Sequence, residues 1–241
     1  MILFIIIISH WYLSLFVQTF FLHRYASHQM FKMHPVTEKI FFILTWIAQG
    51  SSFLHPAAYA LMHRKHHEHS DTEKDPHSPV SFNSWFKFMY KTRDEYASYI
   101  DKVNEGKYSD KSLPRWPLVE KIGDSYISRI GFVIFYISIY LIFAPSYWLL
   151  FFIPLHILMG PIHGFIVNWF GHKHGYRNFT KLHDNSKNTL FIDFLMMGEL
   201  YQNNHHRFPT KTNFAFRWFE FDIGFFIIKI LDKLRIINIL R

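Results

Sequence analysis

The absence of charge from long apolar stretches restricts the fold of this chain more than any other feature. Residues 2–22 contain no Lys, Arg, Asp or Glu. At a rise of about 1.5 Å per residue, a helix of this length covers the roughly 30 Å of a bilayer's hydrocarbon core. Residues 127–144 and 147–169 form two further apolar stretches, separated only by Pro145 and Ser146, a pair that predicts a break. The pattern predicts three membrane-spanning helices, the last two forming a hairpin.

The distribution of basic residues orients these helices. No Lys or Arg precedes Arg24, and none lies between Ile130 and His172. All basic residues therefore fall on one side of a three-span arrangement, and the positive-inside rule assigns that side to the cytoplasm. We expect residues 63–124 and 172–241 to be cytoplasmic, with the amino terminus and the hairpin turn on the opposite side.

Residues 40–62 are also apolar and uncharged, but a Gly-Ser-Ser run and a His-Pro pair interrupt them. A fourth span here would place the following basic residues on the side opposite Arg24, against the charge rule. It would also separate the histidine clusters described below. We therefore predict a segment that lies in the membrane interface or dips in and returns.

Together these patterns predict an all-α integral membrane protein with a single domain over residues 1–241. Half of the residues are hydrophobic and a fifth are aromatic, which is too apolar for an ordinary soluble domain of this size. The cytoplasmic stretches would form a helical cap, in which residues 214–241 have the spacing of an amphipathic helix on the membrane surface. The net charge of +8 is then that of a cytoplasmic face, and nucleic acid is not an expected partner.

Histidines are the most informative polar residues of the chain. There are 17 histidines and no cysteines, so a metal could be held only by nitrogen or oxygen. Four clusters lie at or just beyond the cytoplasmic boundary of an apolar segment. They are His23 and His28; His63, His66 and His67; Asn168 and His172; and Gln202, His205 and His206. Residues spaced by three or four positions share one helix face, whereas the spacing of five positions from His23 to His28 requires the helix to end or bulge.

The number of these side chains indicates two metal ions, since eight histidines and two amides exceed the four to six ligands of one ion. Imidazole suits Fe, Cu, Zn and Ni alike. Three histidines within the predicted spans, His10, His156 and His163, are more typical of packing or of a substrate channel. Six isolated histidines near the clusters are weaker ligand candidates: His34, His55, His69, His77, His174 and His183.

In motif and order the clusters resemble the membrane acyl-CoA desaturases of the stearoyl-CoA type. The matching stretches are HRYASH, HRKHHEHSDTEKDPHSP, NWFGHKHGYRNF and GELYQNNHHRFP, between Phe21 and Pro209. The resemblance implies two iron ions, with Asn168 reaching one of them through water. The implied ligands are His23, His28, His63, His66, His67, His172, His205 and His206.

The resemblance also implies the reaction, in which O2 and two electrons introduce a double bond into an acyl chain. An unactivated C–H bond has no acidic proton and no leaving group, so we expect no catalytic residue beyond the metal centre. The expected substrate is an acyl-CoA or another acyl lipid. The sequence has no recognisable haem or flavin motif, so the electrons would come from a separate ferredoxin or cytochrome b5-like protein.

The chain departs from the family pattern at Gln202, where the acyl-CoA enzymes usually have histidine. Because an amide oxygen is a weaker donor than imidazole, we expect Gln202 to be a weak ligand or to lie behind one. Candidate acceptors for the ring N–H groups of the ligands are Asp71, Asp75 and Glu199. The family also has a crossing before its first histidine pair that this chain does not contain, which again gives three crossings.

Two other functions fit parts of the pattern. A hydroxylase could use the same scaffold, because the same oxidant can transfer oxygen to carbon. A histidine-rich membrane metal carrier would need no redox chemistry. It predicts ligands spread along the spans, whereas these gather at one membrane face.

Overall fold

The computed structural model of the chain describes residues 1–108 and 110–240, most of which are helical. The first predicted span is one continuous helix of 26 residues, Ile2–Ser27. It is α-helical as α1 (Ile2–Val17) and π-helical over Gln18–Ser27. Most large apolar side chains up to Leu13 are exposed or half-buried, as in a lipid-facing surface, whereas most later ones are buried by protein. The helix runs beyond the predicted end at residue 22 because the π-helix continues it into the first histidine cluster.

The segment predicted to dip into the membrane does fold back on itself. Its parts are α2 (Pro35–Gln49), a 3-10 turn (Gly50–Ser52) and α3 (Pro56–His69). Helix α2 runs back along α1, since the Ala48 carbonyl lies 3.0 Å from His10 Nε2. Helix α3 returns to the π-helix, where Arg64 Nη2 donates to the Ala26 carbonyl at 2.8 Å. The segment therefore runs back along α1 and then returns to the end of the first helix.

The hairpin consists of one regular helix and one broken helix. The regular one is α6 (Tyr126–Phe143). The broken one consists of a 3-10 helix (Tyr147–Phe152), α7 (Ile153–Ile157), α8 (Met159–Phe165), a π-helix (Ile166–Phe170) and α9 (Gly171–Lys173). Its two halves meet at 70°, so the third span is not the single helix that residues 147–169 predict. Pro161 has no N–H to bond to the carbonyl four residues earlier, which accounts for a break at this level.

Two described helices, Ile2–Ser27 and Tyr126–Phe143, are long and apolar enough to cross a bilayer. The broken pair makes a third if it counts as one span. The structure thus contains two or three candidate spans on a helical scaffold.

The 3-10 turn between α2 and α3, Gly50–Ser52, packs tightly against α6. Gly50 has φ +53°, and a Cβ at this position would lie 1.9 Å from Tyr136 Oη. Only glycine fits such a turn without strain. Arg129 holds the same turn from α6, since its guanidinium donates to the carbonyls of Ser51 and Phe53 at 2.7 and 3.0 Å.

The predicted cap is only partly helical. Its helices are α4 (Trp85–Asn104), α5 (Pro117–Asp124), α10 (Gln202–Arg207) and α11 (Ile223–Lys233). Residues 174–201 and 208–222 form no helix. A short antiparallel ribbon pairs β1 (Phe31–Met33) with β2 (Ile237–Ile239), a feature that the sequence patterns do not predict. Helix α11 lies within the expected amphipathic segment 214–241.

A fully buried cation joins the cap to the first span. The Arg24 guanidinium donates to Asp222 at 2.8 Å, and the Asp222 side chain also accepts from the Phe225 amide at the start of α11. Removing one partner of a buried ion pair typically costs about 3–5 kcal/mol. This contact therefore fixes the last helix against the π-helix that carries His23.

Candidate metal centre

Imidazoles converge in two groups where the first helix ends. In each group one side-chain nitrogen from every histidine lies within 4.8 Å of the others. The five-histidine group consists of His23, His28, His63, His67 and His205. The three-histidine group consists of His66, His172 and His206. The structure thus brings together all eight histidines of the sequence motifs and divides them unequally.

The π-helix places His23 and His28 in the same group. Its hydrogen bonds span five residues, and the His28 amide donates to the His23 carbonyl at 3.2 Å. The two rings consequently lie one turn apart, with centroids separated by 5.0 Å. The helix that the sequence requires to end or bulge here does so by adopting π geometry and ending at Ser27.

Helices α3 and α10 each serve both groups. His63 and His67 are one turn apart on α3, with their Nε2 atoms at 3.0 Å, whereas His66 Nε2 lies 3.3 Å from His206 Nε2. On α10, His205 Nε2 lies 2.9 Å from His67 Nε2. Neighbouring residues on a helix diverge by about 100°, so two adjacent histidines can face two sites.

The distances within the five-histidine group are those of ligands around one ion. The Nε2 atoms of His28 and His63 lie 2.8 Å apart, and those of His23 and His205 lie 3.0 Å apart. Nitrogens bound at about 2.1 Å to a common ion are separated by roughly 3 Å. The same lone pairs that would bind an ion therefore point toward one centre.

Carboxylates hold the other ring nitrogen of four of these histidines. The Nδ1–H groups of His66, His172 and His206 donate to Asp75, Asp71 and Asp184 at 2.8, 2.9 and 2.8 Å. His23 Nδ1 lies 2.6 Å from Glu199 Oε2. Proton donation from Nδ1 leaves the Nε2 lone pair free, which is the tautomer that a metal ligand needs.

Of the candidate acceptors named from the sequence, Asp71, Asp75 and Glu199 each lie beside one of the eight histidines. Asp184 was missed, because it belongs to a non-helical stretch with no fixed spacing to a histidine motif. Burial alone would raise the pKa values of Asp71 and Asp184, but hydrogen bonds from His172 and His206 outweigh it and lower both below the usual range. Both carboxylates are therefore ionised.

Burial keeps the imidazoles neutral. It lowers the pKa values of His28, His63, His67 and His205 well below the usual range, and the neighbouring histidines lower them further. Burial also lowers the pKa of His206, to about 4. Neutral imidazole is the form that binds metals.

Two buried ring nitrogens near the three-histidine group have no hydrogen-bond partner among the described residues. They are His172 Nε2 and His77 Nε2. The His77 ring lies 4.5 Å from that of His66, and these two histidines form a third small group with Asp75. The sequence ranks His77 only as an isolated histidine, although its position in the second motif, after Asp75, was a usable signal.

The two amide side chains singled out from the sequence lie at the border of the site. Asn168 Nδ2 donates to the Gly164 carbonyl at 2.8 Å, and Gln202 Nε2 donates to the Glu199 carbonyl at 2.7 Å. Both residues line a cavity of about 480 Å³. Gln202 also packs tightly, since a Cβ at Gly171 would lie 2.5 Å from its Cγ.

The cavity connects the imidazole groups with the helices of the membrane region. The residues that line the cavity include His23, His63 and His77. Mostly apolar side chains from α1, α3, α4 and α8 line it as well. Three of its lining residues are exposed: Arg93, Ala97 and Tyr126. An apolar cavity with a few polar groups at one place is the usual form of a site for an apolar ligand.

A second cluster of histidines lies within the candidate spans, apart from both groups. His10 Nδ1 and His156 Nδ1 are 2.6 Å apart, and Tyr140 Oη lies 3.0 Å from His156 Nε2. His163 packs edge-on against Trp11, with centroids at 4.5 Å. None of these three histidines belongs to the groups that converge at the end of the first helix.

A helical scaffold with candidate membrane spans and two adjacent groups of converging imidazoles defines the class of histidine-rich membrane proteins with a candidate metal site. The chain belongs to the fatty acid desaturase family, since the model of that family matches residues 1–222. It is therefore an oxidoreductase that acts on fatty acids, and the desaturase resemblance of the histidine motifs is confirmed.

Several curated proteins are similar to most of the chain. A hex-5-enoyl-[acyl-carrier protein] acetylenase of Moorena producens is 28% identical over 96% of this chain and 74% of its own length. A delta-9 desaturase-like 5 protein of Arabidopsis thaliana is 27% identical over 90% of this chain and 69% of its own. An acyl-CoA C20 delta5-desaturase of Anemone leveillei is 27% identical over 92% and 68%. Two of these names specify an acyl carrier, and the carriers differ: acyl-carrier protein in the first and CoA in the third.

Proposed function

We propose that this protein introduces a carbon–carbon double bond into an acyl chain at a pair of iron ions held by its eight motif histidines. The observation that carries the proposal is the position of the two imidazole groups side by side, with His23 and His63 of one group, and His77 next to the other, lining an apolar cavity. The five-histidine group would hold one iron. The three-histidine group, with His77 or an Asn168-bound water, would hold the other.

The residues fit such a pair of ions. The donors are imidazoles, and the chain has no thiolate to attract a softer metal. The buried Nε2 atoms of His172 and His77 have no partner in the part of the chain that the structure describes, and an unpaired buried nitrogen of this kind is costly unless a ligand satisfies it. When bound, two irons and O2 would supply the oxidising power that an unactivated C–H bond requires.

The chain itself would position the reactants and exclude water. Four carboxylates orient their imidazoles, and such outer contacts are worth about 10–100-fold in metal affinity or activity. The cavity would hold the acyl chain with a methylene group beside the imidazole groups. Gln202 and Asn168, between the cavity and the groups, would contact water or the ions. Acyl-CoA and other acyl lipids both remain suitable substrates, with electrons from an external donor protein and the site on the cytoplasmic side.

The test is expression in a host that lacks desaturase activity, followed by fatty acid profiling. We expect a new unsaturated acyl chain from the wild type and none from His206→Ala, with two irons per purified wild-type chain. His174→Ala is the matched control, because this exposed histidine is in neither group. Unsaturated product at the wild-type level from His206→Ala would overturn the ligand assignment. Hydroxylated product would favour the hydroxylase, and a chain that releases a single ion without product would favour a carrier.

A further inference from the structure

The non-helical segment 190–197 lies beside the middle of the first candidate span. Trp11 Nε1 donates to the Leu195 carbonyl at 3.0 Å, and Tyr12 Oη donates to the Phe194 carbonyl at 2.9 Å. Tyr12 precedes His23 by eleven residues of continuous helix, which is roughly 16 Å along the axis. The segment therefore extends from the imidazole groups toward the middle of the first helix.

Helix α6 gives an independent measure of the same depth. The ring of Tyr136 lies 5.3 Å from that of His10, next to Trp11. Tyr136 is ten residues into α6, or roughly 15 Å from the start of a candidate span. Half of a hydrocarbon core is about 15 Å. Both helices therefore place the carbonyls of residues 194 and 195 near mid-membrane depth.

The side chains of the segment suit lipid. Its exposed large side chains are all apolar: Phe191 at 67%, Ile192 at 56%, Phe194 at 62% and Leu195 at 38%. The two acidic residues nearby, Asp193 and Glu199, are buried. The apolar surface continues that of α1, where Tyr12 and Leu13 are also exposed.

Non-helical backbone is tolerated at membrane depth only when its polar groups are bonded internally. The Asp193 carboxylate provides this by accepting from the amides of Met196, Gly198 and Leu200 at 2.8–2.9 Å. The Tyr201 hydroxyl completes the loop, because it accepts from the Asp193 amide and donates to the Phe191 carbonyl. With the two bonds from Trp11 and Tyr12, the loop needs little water.

We propose that residues 190–197 form a lipid-embedded loop, with Phe191, Ile192, Phe194 and Leu195 in contact with acyl chains of the bilayer and Asp193 as its internal cap. This assignment removes these residues from the cytoplasmic part expected over 172–241. It is independent of the metal centre and of the reaction. It also means that the wall carrying Glu199, which contacts His23, is anchored in the membrane.

The cysteine-free chain allows a direct test with single cysteines. Ile192→Cys and Phe194→Cys are compared in open membrane fragments, where a charged maleimide reaches both faces. Thr180→Cys, in an exposed polar loop, is the accessible control, and Ile127→Cys, 87% exposed on α6, is the lipid-facing control. We expect both loop variants to react on the order of tenfold more slowly than Thr180→Cys, as Ile127→Cys should, because a charged reagent is excluded from hydrocarbon. All four variants should react equally after denaturation.

A second measurement on the same variants does not depend on reaction rates. Spin labels at residues 192 and 194 should collide more often with oxygen than with a polar nickel complex, as the label at residue 127 should, and the label at residue 180 should show the reverse. Loop cysteines that react as fast as the accessible control, or loop labels that favour the nickel complex, would overturn the proposal. Either result would leave the desaturase proposal untouched, since neither measures product.

Discussion

Histidines meet in two regions of this molecule, and the two regions treat their ring nitrogens differently. At the end of the first helix, the Nε2 atoms face one another, and two nearby nitrogens have no protein partner among the described residues. In the spans, the His10–His156 pair has a partner for every nitrogen: Ala48 O and His156 on His10, and His10 and Tyr140 on His156. The histidines at the end of the first helix therefore keep lone pairs for a ligand, whereas the His10–His156 pair uses all of its own in hydrogen bonds.

The partners within the spans also define the direction of each hydrogen bond. Because the Ala48 carbonyl only accepts, His10 must carry its proton on Nε2, and its Nδ1 then accepts from His156 Nδ1–H. His156 Nε2 is left to accept from the Tyr140 hydroxyl. The chain of bonds ties α1, α2, α6 and the broken span together. Clustering alone is therefore no sign of a metal site. Unsatisfied nitrogens alone are no sign either, since both ring nitrogens of His163 in the spans lack a partner among the described residues. The better criterion is a set of several ring nitrogens that face one another, as at the end of the first helix.

The largest expected effect is that of removing a ligand from the five-histidine group. His63→Ala should lower product formation by more than roughly 100-fold, beyond the effect of a supporting contact. Iron per purified chain should fall as well. His156→Ala is the comparison, since it removes a buried histidine of equal size from the other region and should leave the iron content unchanged. Equal iron loss in the two variants would erase the distinction between the regions.

A supporting carboxylate should matter less than a ligand. Asp184→Asn keeps the size of the side chain but weakens the acceptor for His206 Nδ1–H, so we expect a loss of about 10–100-fold in activity or in retention of one iron. Iron release during a chelator challenge measures the second quantity. Asp94→Asn, an exposed change on α4, should behave like the wild type. Wild-type release rates from Asp184→Asn would show that the carboxylate does not support a ligand.

The contribution of His77 should be smaller again. If its free Nε2 serves the three-histidine group, His77→Ala should weaken one iron by roughly tenfold and change the Mössbauer signal of that iron alone. His69→Ala, at the end of the same helix as His66 and outside the groups, is the matched control. An unchanged spectrum of both irons in His77→Ala would assign His77 to packing against His66.

The sequence predicts those parts of the structure that have a local or periodic signal. Long apolar stretches predict α1 and α6, and the five-residue spacing predicts the change in helix geometry before His28. The 70° break near Leu158 is harder to predict from the sequence, because Pro161 indicates a kink but not its angle. Asp184 could not be found, since it acts on His206 of a helix later in the chain. Asp193 could not be found either, since its partners are backbone amides of an irregular loop that has no periodic signal. The same limit applies to the irregular cap, where tertiary contacts rather than periodicity determine the backbone.

The smallest expected effect concerns the histidine pair in the spans and is an effect on stability. Tyr140→Phe removes the donor to His156 Nε2 and leaves that buried nitrogen unpaired, so it should lower the free energy of unfolding by about 1–3 kcal/mol. Denaturant unfolding of the detergent-solubilised protein measures this difference. Tyr147→Phe is the matched control, because Tyr147 is 85% exposed and the same change should cost nothing measurable there. Because the hydrogen-bond chain of His10 and His156 serves packing alone, Tyr140→Phe should retain both irons, and loss of iron together with stability would join the two regions into one functional unit.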